Sequence, residues 1–202
     1  MKKIFITTLS VILFTQILNA QFAVGITAGG DINQQRVNAT EGNIYGRDNF
    51  KSYHAGFIKS MALGDGFYLQ PQLLFSRKGS TLLSVADGQN IKLRMSYAEL
   101  PVTIVYKKSI SFGKVYAGAG AVYGFLLGGK QEQAGISKRL FSGEENNWRR
   151  SDAGILLTAG LQFNNGMFIS MSSQKGMVDI YKPKELSIKN RSVNVSVGFL
   201  ID

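Results

Sequence analysis

Hydrophobic and polar residues alternate along much of this chain with a period of two. Residues 115–127, VYAGAGAVYGFLL, show it most plainly. The odd positions are Val115, Ala117, Ala119, Ala121, Tyr123, Phe125 and Leu127, all apolar or aromatic. The even positions are Tyr116, Gly118, Gly120, Val122, Gly124 and Leu126. Such sorting predicts a β-strand whose two faces meet different surroundings. A membrane helix needs about 20 apolar residues, longer than this run, despite the Gly120-x-x-x-Gly124 spacing. A nucleotide-binding loop is excluded too, because Gly118-x-Gly120 lacks the third glycine and the later acidic residue.

The same parity recurs elsewhere. In 67–77, Phe67, Leu69, Pro71, Leu73 and Phe75 oppose Tyr68, Gln70, Gln72 and Ser76. In 96–106, Ala98, Leu100, Val102, Ile104 and Tyr106 oppose Tyr97, Glu99, Pro101 and Thr103. In 151–163, the apolar set Ala153 to Phe163 opposes Asp152, Gly154, Thr158, Gly160 and Gln162. In 191–201, Val193, Val195, Val197, Phe199 and Ile201 oppose Ser192, Asn194, Ser196 and Gly198. Weaker alternation at 22–32, 53–63 and 167–174 brings the expected total to eight strands.

The predicted connections are 33–52, 64–66, 78–90, 107–113, 129–150, 164–166 and 175–187, alternating long and short. An up-and-down transmembrane barrel has this spacing, with short turns on the periplasmic side and long loops outside. Tracing strand directions places Phe22, Phe67, Tyr106, Phe163 and Phe199 at one level, and Tyr53, Phe57, Phe75, Tyr123 and Phe125 at the other. Two aromatic belts bounding an aliphatic band match the two interfaces of a bilayer. A closed barrel also pairs every backbone amide that hydrocarbon would leave unsatisfied. Eight strands leave an interior filled by side chains, and the inward glycines at 118, 120, 124, 154, 160 and 198 make room for larger neighbours. The expected fold class is therefore all-β, an eight-stranded antiparallel up-and-down transmembrane β-barrel.

Composition adds compartment and charge. The opening MKKIFITTLSVILFTQILNA has Lys2 and Lys3 before an apolar run free of acids, the pattern of a secretory signal peptide. Cleavage is expected after Ala20, leaving residues 21–202 as a single barrel domain. The alternative, a retained anchor helix, has a short run for spanning. With no cysteine, the chain carries neither a lipid anchor nor a disulfide framework. The 23 basic residues, less Lys2 and Lys3, face 13 acidic ones, a surplus of eight. For an exported protein that surplus points to lipid phosphates before nucleic acid.

With the strands placed, the chain resembles the PorT-like outer-membrane β-barrel family of Bacteroidetes-type bacteria. The residues that carry the resemblance are GFYLQPQLLFSRKGS at 66–80, YAELPVTIVYK at 97–107 and VYAGAGAVYGFLLGGK at 115–130, extended by 151–163 and 189–202. Leu-Gln-Pro on one strand followed by Tyr-x-Glu-x-Pro on the next is the most specific feature. Loops 33–52 and 129–150 lie outside it. Such barrels usually finish on an aromatic residue, whereas this chain ends Ile201-Asp202, so Phe199 is the expected substitute. The resemblance implies an outer-membrane location and a barrel fold. It implies no assigned activity, and the role of one namesake in protein secretion is not carried over.

Candidate chemistry lies inside the barrel and at its outer rim. Glu99 and Tyr97 are expected to face inward, with Lys92, Arg94, Asp152, Gln70 and Gln72 pointing the same way. A carboxylate in a narrow lumen needs a cationic or hydrogen-bonding partner, so a polar network that fixes strand register is expected. A proton or ion path is the alternative. His54, the one histidine, should face inward near the outer rim, and no sequence signature supplies a nucleophile and orienting acid for it. One histidine without cysteine makes a metal site unexpected. The outer loops hold Arg36, Arg47, Lys51, Lys130, Lys138, Arg139, Arg149, Arg150, Lys182, Lys184, Lys189 and Arg191. From this side, Arg77, Arg149 and Arg150 are the candidates for pairing with lipid phosphate. Trp148 is expected to anchor its loop at the bilayer interface, with a partner-binding anchor as the alternative.

These features predict a non-enzymatic outer-membrane barrel with a packed lumen and no cofactor. Its expected partners are outer-membrane lipids, lipopolysaccharide among them, and a protein or small ligand at the outer loops, with no nucleic acid. Alternatives are a transporter or secretion-accessory subunit and, more weakly, a soluble lipocalin-like barrel, which needs the opposite polarity.

Overall fold

Period-two alternation becomes strand pairing along nearly the whole chain. The computed structural model describes residues 22–39, 44–84, 89–141, 147–183 and 186–201. In chain order these form β1 (Phe22–Ala39), β2 (Ile44–Gly64), β3 (Phe67–Ser84), β4 (Asn90–Ile110), β5 (Gly113–Gln133), β6 (Ile136–Arg139), β7 (Ser151–Phe163), β8 (Met167–Gly176) and β9 (Leu186–Ile201). Neighbours run β4-β3-β2-β1-β9-β8-β7-β5, and a β4–β5 pairing closes these eight into an antiparallel ring. The ninth strand, β6, folds back onto the outer end of β5 through Ala134-Gly135, both at positive φ. Two such residues give a two-residue turn whose twist matches the hairpin. The expected signal peptide, residues 1–20, lies outside the described residues.

The short connections need backbone freedom. Gly64, Asp65 and Gly66 have φ of 106°, 51° and 82°, so the β2–β3 turn uses glycine on both sides of an aspartate that tolerates the left-handed region.

Around the middle of the ring the polarity is that of a membrane barrel. Leu73 is 56% exposed and Leu157 61%, on the outside, while Gln72 and Thr158 line the interior cavity. Outward side chains from Ala98 to Tyr106 on β4, Ala153 to Phe163 on β7 and Val193 to Ile201 on β9 carry no charge. A single Lys or Arg at mid-bilayer costs about 2–4 kcal/mol, which explains the omission. Both aromatic belts face outward, with Phe67 against Tyr106 at 5.2 Å and Phe112 against Phe163 at 6.3 Å at the turn end. A lipocalin-like barrel is ruled out, since its apolar face would turn inward.

The strands are longer than the alternation suggested. Crossing a bilayer takes about 9–11 tilted residues, and β2, β4 and β5 each have 21. Much of the expected loops 33–52, 78–90 and 129–150 is strand, and 107–113 reduces to a tight turn at Ser111-Phe112. Beyond the outer aromatic belt the barrel continues into water, and its polarity reverses. On β4, Leu93 and Met95 are buried inside while Lys92 and Arg94 are exposed outside. This part is stabilised as a soluble protein is, by an apolar interior.

That interior joins Leu82, Leu93, Met95, Tyr97, Leu126 and Ile188 of the strands to Leu140, Trp148 and Ile180 of the connections. It closes the outer mouth. A smaller cluster of Ala23, Ile58, Phe168 and Leu200 sits at the periplasmic end. A bulge on β5 adjusts the register at the outer cluster, and further register shifts lie between β2 and β3. Ser96 pairs with Gly128 but Tyr97 with Leu126, leaving Leu127 unpaired on β5.

Candidate functional site

Between the two apolar clusters the lumen is polar and almost fully hydrogen-bonded. Glu99 comes from β4 and Lys78 from the adjoining β3, and Lys78 Nζ donates to Glu99 Oε1 at 2.5 Å. Ser76 Oγ donates to Oε2 at 2.5 Å, and Gln174 Nε2 from β8 donates to Oε1 at 3.1 Å. Ser192 continues the chain by donating to Gln174. Asn190 of β9 donates to Asp152 at 2.8 Å and to the Tyr97 hydroxyl at 3.3 Å, and lies 3.2 Å from Gln35 of β1. Ser80 donates to Gln35 at 2.7 Å. Nearer the periplasm, Gln70 and Lys107 each donate to Ser60, and Lys107 also donates to Gln162 at 2.8 Å.

A second constellation surrounds the histidine. His54 Nδ1 lies 2.6 Å from Asp31 Oδ1, and Nε2 lies 2.9 Å from Ser196 Oγ. Asn194 donates to the same Asp31 oxygen at 2.7 Å. A carboxylate accepts only, so Nδ1 carries the hydrogen and Nε2 faces the serine hydroxyl. Asp, His and Ser in this order form the arrangement that acyl-transfer enzymes use. Its surroundings do not suit that chemistry. All three residues are buried, and the adjoining internal cavity is about 40 Å³, room for a little water and not for an acyl substrate. The geometry ties β1, β2 and β9 together.

Of the residues expected in the lumen, Gln70, Tyr97, Glu99 and Asp152 are buried there and Gln72 is half-buried. Lys92 and Arg94 are not there. They differ in parity from Tyr97 and Glu99 on an uninterrupted strand, so they face outward, Lys92 opposite Glu132 and Arg94 opposite Lys130. The cation that serves Glu99 is Lys78. It was missed because Arg-Lys-Gly-Ser at 77–80 reads as a turn, although the inward series Gln70, Gln72, Leu74, Ser76 runs on through Lys78 and Ser80. Asp31 and Ser196 likewise lie on the inward parity of their strands. Their meeting with His54 depends on ring closure between β1 and β9, which no local pattern encodes.

The outer candidates fall into two kinds. Arg77, Arg149 and Arg150 are exposed. The Arg77 guanidinium lies 5.4 Å from the Tyr53 ring, and that of Arg150 lies 6.0 Å from Phe125 and 4.2 Å from Phe141. These cations sit on or beside the outer aromatic belt. Trp148 corrects the expectation made for it. It is 7% exposed, packed in the outer apolar cluster with its ring edge-on to Tyr181 at 5.3 Å. It fastens its segment to the barrel's own interior and does not reach the bilayer. Lys184 lies outside the described residues.

A sealed ring of alternating strands, apolar outside and polar within, defines an outer-membrane β-barrel protein. The family model described as outer membrane protein beta-barrel domain matches residues 14–182, and this chain belongs to that family. No curated protein matches it. Among solved structures it is similar to Neisserial surface protein A, at 8% identity, covering 87% of this chain and 96% of that one with a TM-score of 0.50. It is also similar to OprG of Pseudomonas aeruginosa, at 9% identity, covering 89% and 96% with a TM-score of 0.50. Ail of Yersinia pestis aligns at 16% identity over 90% of this chain and 99% of its own, with a TM-score of 0.47. Identities this low speak to fold alone. The protein is located in the outer membrane.

Proposed function

We propose that this protein is a non-enzymatic outer-membrane barrel that works through its exterior, its basic outer face contacting anionic surface partners, lipid phosphates first. The observation that carries this reading is the sealed lumen: an apolar cluster at either end and an interlocked polar network between them. Arg77, Arg149 and Arg150 are the proposed lipid contacts. Arg77 and Arg150 are held against belt aromatics, which aims a guanidinium at headgroup level. Cleavage of a signal peptide near Ala20 and membership of the narrower PorT-like group belong to the same proposal, the latter resting on Leu69-Gln70-Pro71 and Tyr97-x-Glu99-x-Pro101.

The test is conductance of the purified protein in planar bilayers. A sealed lumen gives no stable channel. Discrete, reproducible conductance steps overturn the reading and favour transport.

A further inference from the structure

Four cations converge at one place on the outward wall. Arg94 of β4 stands directly opposite Lys130 of β5, which stands directly opposite Arg139 of β6. One row nearer the membrane, Arg77 of β3 stands opposite Ser96, and Ser96 opposite Gly128. Arg77, Arg94, Lys130 and Arg139 line a surface cleft of about 450 Å³ with Ser96, Gly128 and Gly129 among its other residues. Among the described residues, no acidic one lines it. Glu132 stands one row further out, opposite Lys92.

Like charges directly across a strand pair repel, so Arg94 opposite Lys130 costs stability unless an anion joins them. The small residues leave the space an anion needs. A side chain at Gly128 would meet nothing within 4 Å. The level identifies the source of the anion. The next outward row below Arg77 and Gly128 is Phe75–Ala98–Phe125, part of the outer aromatic belt. That belt marks the bilayer interface, so the cleft opens at headgroup height.

We infer that this cleft binds the phosphate groups of outer-leaflet lipopolysaccharide. The inference rests on the reading that the outer face contacts lipid phosphate, and it names the place. Arginine forks take phosphate by paired charge-assisted hydrogen bonds, and Lys130 adds a point charge between them.

The experiment follows thermal unfolding of the folded barrel in three settings: a neutral maltoside detergent, bilayers with lipopolysaccharide, and bilayers with enzymatically dephosphorylated lipopolysaccharide. The variants are Arg94→Gln/Lys130→Gln, Gly128→Glu, and a control on the far side of the ring, Lys175→Gln/Arg191→Gln. The control removes another directly opposed outward pair, on β8 and β9. Wild type is expected to melt several degrees higher with phosphorylated lipid, and both cleft variants to lose most of that increment. In neutral detergent Arg94→Gln/Lys130→Gln should melt no lower than wild type, because repulsion is relieved. That change of sign separates a binding site from a merely structural role. Equal increments for wild type and both cleft variants, or equal loss from the control, overturn the cleft while leaving outer-leaflet contact intact. An increment that survives dephosphorylation overturns phosphate as the ligand. No increment for wild type in any lipid overturns the broader reading as well.

Discussion

Lys78 Nζ and Glu99 Oε1 meet at 2.5 Å inside the barrel, with side-chain exposures of 4% and 5%. Neither charge has access to bulk water, so each depends on the other. Breaking a buried pair by removing one partner costs about 3–5 kcal/mol, because the survivor is left uncompensated. Lys78→Met and Glu99→Leu should each lower stability by about that amount in urea unfolding from lipid vesicles. The double variant Lys78→Met/Glu99→Leu should lose much less than the two single losses combined. Single losses below about 1 kcal/mol would show the pair to be solvated.

The Asp31–His54–Ser196 arrangement predicts unequal costs. Asp31→Ala strands the buried donor His54 Nδ1, at about 1–3 kcal/mol, and also leaves the half-buried Asn194 Nδ2 short of its acceptor. Ser196→Ala removes one hydroxyl and leaves one nitrogen short, about 1 kcal/mol. The ranking Asp31→Ala worse than Ser196→Ala is checked by the same urea titration. A fluorophosphonate probe should leave Ser196 unlabelled in the folded protein, and His54-dependent labelling would reopen the enzymatic reading.

The transmembrane half of this fold was legible because hydrocarbon enforces a strict rule on alternate residues. Leu73, Val102 and Ile155 face out, and Gln70, Glu99 and Thr103 face in, as parity requires. The outer half was not legible by the same rule. Beyond Tyr97 the solvent is water, the pattern inverts, and segments such as 78–84 and 90–95 look like loops to a test tuned for apolar exteriors. Lys92 and Arg94 were placed inside for that reason. The network around Glu99 was half visible: Tyr97, Glu99 and Asp152 declared themselves, Lys78 was hidden in a segment that reads as a turn, and Gln174 and Asn190 came from segments that only ring closure brings to β4.

Glycine positions give opposite expectations on one strand. A Cβ at Gly120 would lie 2.0 Å from the Val102 carbonyl oxygen and 2.7 Å from Thr103 Cα, both backbone atoms of β4. The two strands cannot keep their spacing with a side chain there. Gly120→Val should fail to yield the faster-migrating folded band on an unheated gel. Gly128→Ala, entering open space, should fold like wild type. Normal folding of Gly120→Val would show that β4 and β5 have room to part.

Trp148 offers a spectroscopic test of how the outer mouth is closed, since it is the one tryptophan of the chain. Two placements make different claims. An interfacial anchor has its indole among headgroups, in contact with lipid. The structure instead packs it beside Leu140, Ile180 and Tyr181 within the outer apolar cluster. Brominated lipids quench only what they touch, so emission in brominated bilayers should match that in unbrominated ones, and its maximum should be blue-shifted. Trp148→Ala removes the largest side chain of the cluster and should cost about 3–5 kcal/mol, as large aromatic truncations in packed interiors do. Strong quenching by bromine placed near the headgroup would put the indole in the bilayer, and the mouth would then need another closure.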